Sequence, residues 1–277
     1  MRALQGLAYV APGLAEDQAL KLWGTPMRTR REPQSPGLQG HKFRVEGKSG
    51  RLWVWDFGIG PTVMLVHGWS GSASQMSHFI GPLVRAGFNA VAVDLPAHGQ
   101  SGGKQTTVLE MAEAIAEVAD KVKPVEAIIA HSLGATAAAL AHGNGLKVKK
   151  MALIAPPSNV PYYVHGFAKR IGLSHDRGDG MLEKLQRRFG DLEQFNVLRV
   201  APKFTAQGLV MHAVGDREVP FEQGEAIAHA WPGARLEVLT RGTPSHGTNH
   251  HWPLKDERVV QQVVGWLRDE GASVRAA

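Results

Sequence analysis

From about Gly40 onward the chain alternates short, continuous apolar runs with longer stretches whose apolar residues recur every three or four positions. The runs at Thr62 to Val66, Asn89 to Asp94, Val125 to Ala130, Lys150 to Ala155, Leu209 to Val214 and Arg235 to Leu239 have the length of strands covered on both faces. Ahead of them, Phe43-Arg44-Val45-Glu46 and Leu52-Trp53-Val54-Trp55 flank Gly47-Lys48-Ser49-Gly50 and predict an antiparallel hairpin turned by its glycines. Between Thr107 and Val122, the residues Val108, Met111, Ala112, Ile115, Val118, Ala119 and Val122 share one helical face, while Glu110, Glu113, Glu117 and Asp120 take the other. Asp256 stands where it can cap a helix carrying Val259, Val260, Val263, Val264 and Leu267 on one side. Strand and helix in strict alternation imply an α/β class protein with a doubly wound, mostly parallel sheet.

Two stretches depart from this rhythm. Pro156 to about Thr205, after the sixth strand, is far too long for an ordinary connection and holds a helical piece, Met181 to Phe189. A small helical cap over residues 156–207 is the expectation, with the α/β core in 40–155 and 208–277. Residues 1–39 read as a short helix, Glu16 to Trp23, followed by a Pro- and Arg-rich connector from Thr25 to Pro36.

Composition narrows the class. The 277 residues are 43% hydrophobic and 20% charged, which suits one soluble catalytic domain with an insertion. There is no cysteine, so disulfides and thiolate metal sites are excluded, and a cytoplasmic protein is expected. The first ten residues carry one arginine and an apolar run broken by Gln5 and Gly6, which does not read as a signal peptide. No run of about 18 apolar residues offers a membrane span. The net charge of +6 is scattered in groups such as Arg28-Thr29-Arg30-Arg31 and Lys147-Val148-Lys149-Lys150, without interleaved aromatics. Neither a nucleic-acid nor a membrane partner is therefore expected.

Candidate chemistry centres on Ala130-His131-Ser132-Leu133-Gly134, which places a serine between an apolar strand and the alanine-rich helix Ala135 to Ala141. A chain that reverses so sharply tolerates little bulk two residues either side, hence Ala130 and Gly134. Such a turn lifts the hydroxyl above the sheet edge and aims free N–H groups at a developing oxyanion. A nucleophilic serine needs an imidazole and a carboxylate from loops at the same edge. Asp216, two residues past Val214, supplies the carboxylate, and the loop one strand earlier, Ala155 to Asn159, has none. The final loop, Thr240 to Trp252, holds His246, His250 and His251. His250 follows Gly247-Thr248-Asn249 and is the preferred base, with His246 as the alternative. His246 and His250 also have i, i+4 spacing, but Gly247 and Pro253 disfavour the helix that would make them a metal pair. The second oxyanion donor is expected from Val66-His67-Gly68-Trp69-Ser70-Gly71, where the Trp69 N–H can join that of Leu133. His98, His131 and His212 read as locally hydrogen-bonded or packed.

Together, His67-Gly68-Trp69, Asp94-Leu95-Pro96-Ala97-His98-Gly99-Gln100-Ser101, Ala130 to Gly134, Gly215-Asp216 with Val219-Pro220, and Gly247 to His250 resemble the α/β-hydrolase fold family, in the family's order. The elbow opens with Ala130 where the family more often has glycine. The resemblance implies Ser132, Asp216 and His250 as nucleophile, acid and base, with Trp69 and Leu133 as the oxyanion donors. It implies a serine hydrolase acting on small to medium carboxylic esters, with no metal or organic cofactor. Thioester or lactone hydrolysis, acyl transfer and cofactor-free peroxidation use similar sites, and a non-catalytic small-molecule binder is the alternative from another class.

Overall fold

The computed structural model describes residues 2–48, 50–122, 124–240 and 250–269. Among them, eight strands form one sheet in the order β1-β2-β4-β3-β5-β6-β7-β8. The hairpin β1 (His41–Gly47) and β2 (Gly50–Phe57) is antiparallel, and β2 joins β4 (Asn89–Asp94) antiparallel. From there the sheet is parallel through β3 (Thr62–Val66), β5 (Val125–His131), β6 (Lys150–Ile154), β7 (Gln207–Ala213) and β8 (Arg235–Leu239). The central strands carry no exposed side: all five residues of β3 are buried, as the unbroken apolar run requires.

Helices cover both faces. On one lie α4 (Val108–Lys121) and α5 (Leu133–Gly143), whose apolar residues form a core with Val66, Val93 and Leu153. On the other lie α3 (Ser77–Arg85) and α9 (Glu257–Arg268), packed with Leu65, Ala92 and Ile154. Helix α4 begins in a full capping box, in which the Thr107 side chain accepts from the Glu110 N–H and the Glu110 carboxylate accepts from the Thr107 N–H. Asp256 caps α9 by accepting from the Arg258 N–H. Helix α8 (Phe221–Ala230) connects β7 to β8.

After the hairpin the chain builds β3, adds β4 on one side, then crosses back to place β5 on the other. That reversal opens a crevice at the C-terminal ends of β3 and β5, where ligands of such sheets bind.

Above this edge sits a helical layer drawn from two remote parts of the sequence. Residues between β6 and β7 supply α6 (Val164–Arg170) and α7 (His175–Phe189), and the N-terminus supplies α1 (Arg2–Val10) and α2 (Pro12–Trp23). A small core of Ala19, Val164, Ala168, Leu173 and Met181 joins α2, α6 and α7, and Leu4 and Ala8 of α1 pack against it. Two ion pairs fasten α2 to α7: Arg177 Nη1 to the buried Glu16 at 2.8 Å, and Lys184 Nζ to Asp17 at 2.5 Å. The N-terminal segment is thus more helical than its sequence pattern suggests. Gly6 and Pro12-Gly13 interrupt the periodicity, yet Pro12 serves as the first residue of α2, where its missing N–H costs nothing.

Candidate active site

The serine turn takes the conformation its small neighbours permit. Ser132 lies between β5 and α5 with φ 53° and ψ −131°, a region a non-glycine residue occupies only when its surroundings enforce it. Enforcement comes from both sides. The Ser132 N–H is tied to the Ile154 carbonyl of β6 at 2.9 Å, and the Ser132 carbonyl accepts from Ala135 and Thr136 in the first turn of α5. A Cβ on Gly134 would overlap the His67 carbonyl oxygen, and one on Gly68 would come within 2.9 Å of the Ser132 Cβ. Bare backbone at both positions lets the loop after β3 lie directly against the serine.

That loop turns through Gly68 to Gly71, with a 3.1 Å hydrogen bond from the Gly71 N–H to the Gly68 carbonyl and Ser70 at φ 56°. His67 anchors its root: its Nδ1 donates to the Gly68 carbonyl at 2.7 Å while its Nε2 accepts from the Leu95 N–H at 3.1 Å. Burial holds the imidazole neutral, with its pKa lowered to about 4. Among the described residues, neither the Trp69 N–H nor the Leu133 N–H has a hydrogen-bond acceptor. As the first residue of α5, Leu133 has no acceptor within its own helix.

The carboxylate and the imidazole meet. Asp216 Oδ2 accepts from His250 Nδ1 at 2.6 Å, both side chains being almost wholly buried. Asp216 Oδ1 accepts from the Glu218 and Val219 N–H groups at 2.9 and 3.0 Å. Burial raises the Asp216 pKa, but the His250 hydrogen bond and these two backbone donors outweigh it, so the carboxyl stays below its ordinary value and ionised at neutral pH. With Nδ1 fixed as the donor to Asp216, His250 Nε2 is buried and has no partner among the described residues. The Ser132 side chain makes no direct hydrogen bond to it, although both residues line one cavity. His246, the alternative base, lies outside the described residues, as do Gly247, Thr248 and Asn249.

Three further residues shape the site. His131 Nε2 donates to the His250 carbonyl at 3.2 Å, and its ring lies 4.6 Å from that of His250. Gln75 accepts from the Gly68 N–H at 3.1 Å, and its Nε2 lies 3.2 Å from His251 Nδ1, joining the loop after β3 to the last loop. His212, buried in β7, donates to the Val219 carbonyl at 3.0 Å and lies 3.7 Å from Asp216 Oδ2, so it packs behind the acid. Gln75 carries no signal in the sequence, because its tie to His251 joins segments remote along the chain. The Asp94 to Ser101 segment is a structural brace: the buried Asp94 carboxylate accepts from the Ala73 and Gln100 N–H groups at 2.7 Å each, and His98 donates to the Pro96 carbonyl at 2.8 Å.

The cavity has a volume of about 560 Å³. Trp69, Ser132, Leu133 and His250 lie along its floor, Trp23, Val164, Phe167 and Phe189 line its roof, and Arg170, Lys184 and Arg188 bring positive charge to its wall.

The sequence profile of the alpha/beta hydrolase family matches residues 63–262, which contain all of these floor residues. The chain belongs to the alpha/beta hydrolase family. Solved structures agree on the fold: an esterase from Exiguobacterium antarcticum superposes with a TM-score of 0.63 at 21% identity, over 82% of this chain and 99% of that one. The Pyrococcus furiosus esterase Pf2001 gives 0.64 at 20% identity, over 88% and 98%. A curated relative, the dihydrolipoyllysine-residue acetyltransferase component of the acetoin cleaving system of Cupriavidus necator, is 36% identical over 100 residues, or 34% of this chain. The match spans about a quarter (26%) of that relative's length. Within the alpha/beta hydrolase family, then, the architecture expected from the alternating pattern is the one found.

Proposed function

We propose that this alpha/beta hydrolase is a serine hydrolase that cleaves small to medium carboxylic esters through an acyl-enzyme. The observation that carries the reading is the hydrogen-bonded Asp216 and His250 pair, whose imidazole Nε2 has no partner among the described residues, in a cavity that His250 and Ser132 both line. Ser132 Oγ attacks the acyl carbonyl while His250 Nε2 takes its proton, and Asp216 holds the ring and stabilises the imidazolium. The Trp69 and Leu133 N–H groups receive the oxyanion. His250 then returns the proton to the departing alcohol. Water, deprotonated by the same nitrogen, attacks the acyl-enzyme and releases the acid. A contact of Ser132 with His250 that closes only around substrate fits the looser geometry of an unliganded site.

The roof supports the substrate class: aromatic and aliphatic side chains over a cavity of about 560 Å³ suit a compact acyl or alkyl group. Residues 156–207 act in this reading as a cap, completed by α1 and α2, over a core of 40–155 and 208–277. Two structural neighbours, from Exiguobacterium antarcticum and Pyrococcus furiosus, are esterases, which fits this reading. A cytoplasmic setting rests on the cysteine-free sequence. The test is turnover of aryl esters from acetate to octanoate, with aryl thioesters and lactones beside them. Ester cleavage that falls by about 10⁴-fold or more in Ser132→Ala supports the reading. Undiminished cleavage by the variant contradicts it, and faster thioester or lactone turnover reassigns the substrate class.

A further inference from the structure

The helical roof holds a cluster that plays no part in this chemistry. His165 in the first turn of α6 and His175 and Asp179 in α7 each offer one ligand atom, and these atoms lie within 4.8 Å of one another. His165 Nε2 is 2.8 Å from Asp179 Oδ1, and His175 Nδ1 is 3.3 Å from Asp179 Oδ2. The two imidazoles stack, with centroids 4.2 Å apart and planes 26° from parallel, so both aim a nitrogen at the same carboxylate.

We infer that His165, His175 and Asp179 form a binding site for a divalent transition cation of the zinc class, which staples α6 to α7.

Three features favour a site over a chance ion pair. Tetrahedral zinc at its usual bond lengths sets ligand atoms about 3.4 Å apart, and the ligand atoms here lie within 4.8 Å of one another, so side-chain rotations that draw them together admit the ion. Two imidazoles and one carboxylate are the donors that borderline cations prefer, with water left to complete the shell, whereas magnesium and calcium take oxygen. The third feature is the packing beneath the cluster. A Cβ on Gly178 would strike the His165 ring at 2.6 Å, so glycine there lets the imidazole lie against α7 beside Asp179. A cation would replace the protons that now bridge each nitrogen to the carboxylate.

The consequence is mechanical. Helix α6 carries Phe167 and Arg170 to the cavity, and α7 carries Lys184 and Phe189. Fixing the two helices at one end fixes the wall that an entering substrate meets. This inference stands independently of the role given to Ser132.

The experiment is equilibrium dialysis of the untagged, full-length protein against zinc, with magnesium and calcium as controls, alongside thermal melts. His175→Ala and Asp179→Asn test the ligands, and His229→Ala, an exposed histidine on α8, controls for adventitious binding. One equivalent of zinc, a melt raised by zinc alone, loss of affinity by about tenfold or more in both ligand variants and retention in His229→Ala is the expected pattern. Asp179→Asn keeps the side chain's size, so its melt without metal shows that folding is intact. Zinc binding unchanged in both ligand variants, or absent at roughly 100 µM zinc, overturns the site.

Discussion

The floor and the roof of the cavity are held by different physics. Every residue of α5 from Gly134 to His142 is buried, and Gly68 and Gly134 leave no room for even a methyl group. The roof has a five-residue core, and α7 buries only Gly178 and Met181 along its fifteen residues. Two ion pairs, Arg177 with Glu16 and Lys184 with Asp17, join α2 to α7 beside it. A floor set by steric necessity can hold catalytic groups to the tolerance chemistry needs, while a roof set by modest burial can move or vary. Changes below should therefore alter turnover, and changes above should alter which substrates enter.

The largest effect is expected where Asp216 meets His250. Asp216→Asn keeps the shape but favours the wrong imidazole tautomer, and kcat on an aryl ester should fall by about 10⁴-fold with little change in KM. A loss of under about tenfold would detach the pair from the chemistry.

Next comes Gly134→Ala, which forces a methyl group into the His67 carbonyl. Urea denaturation should show a loss of about 3 kcal/mol or failure to fold. An equally conservative change in the roof should not approach this.

Acid should discriminate as well. Burial lowers the pKa of His67 to about 4 and, with the nearby His67, lowers that of His98 to about 3, whereas the unfolded chain takes up protons near pH 6.5. Below pH 6.5 the unfolded state binds more protons, so stability is complete above that pH and falls as pH drops toward these folded values, by about 1.4 kcal/mol per unit for each histidine. Denaturation midpoints between pH 7 and 4.5 check this. A flat profile would mean that the buried imidazoles are not kept neutral.

The smallest effect is expected in the roof. Arg177→Ala leaves the Glu16 carboxylate without its guanidinium partner and should cost about 1–3 kcal/mol. It should raise KM for long acyl chains while leaving acetate turnover within about twofold. Equal losses on all chain lengths would show that roof and floor are not separable.

The contrast also explains what was legible in the sequence. Strands β3 to β8 and the serine turn were readable because continuous apolar runs and small residues at fixed spacing are local consequences of burial and tight turning. Asp216 stands out in the sequence as an acidic residue in the loop after its strand, and the structure brings its carboxylate to His250. The roof was not readable in the same way. The apolar pattern of helix α1 is broken at Gly6, and its partnership with α6 and α7 arises from tertiary packing between segments some 150 residues apart in the chain. The tie from Gln75 to His251 and the arrival of His165 beside His175 and Asp179 were invisible for the same reason: these groups are brought close only by the fold, although His175 and Asp179 are four residues apart on one helix. His212 reads as a core histidine and is buried as one, yet its proximity to Asp216 could not be seen from alternation alone.

The central claim is that the Ser132 hydroxyl is an activated nucleophile, and covalent capture by a fluorophosphonate tests it most directly. Intact-mass and peptide mapping should find one adduct, on Ser132, and none on Ser132→Ala. An adduct on another residue, or labelling of the alanine variant to the same extent, would contradict the account.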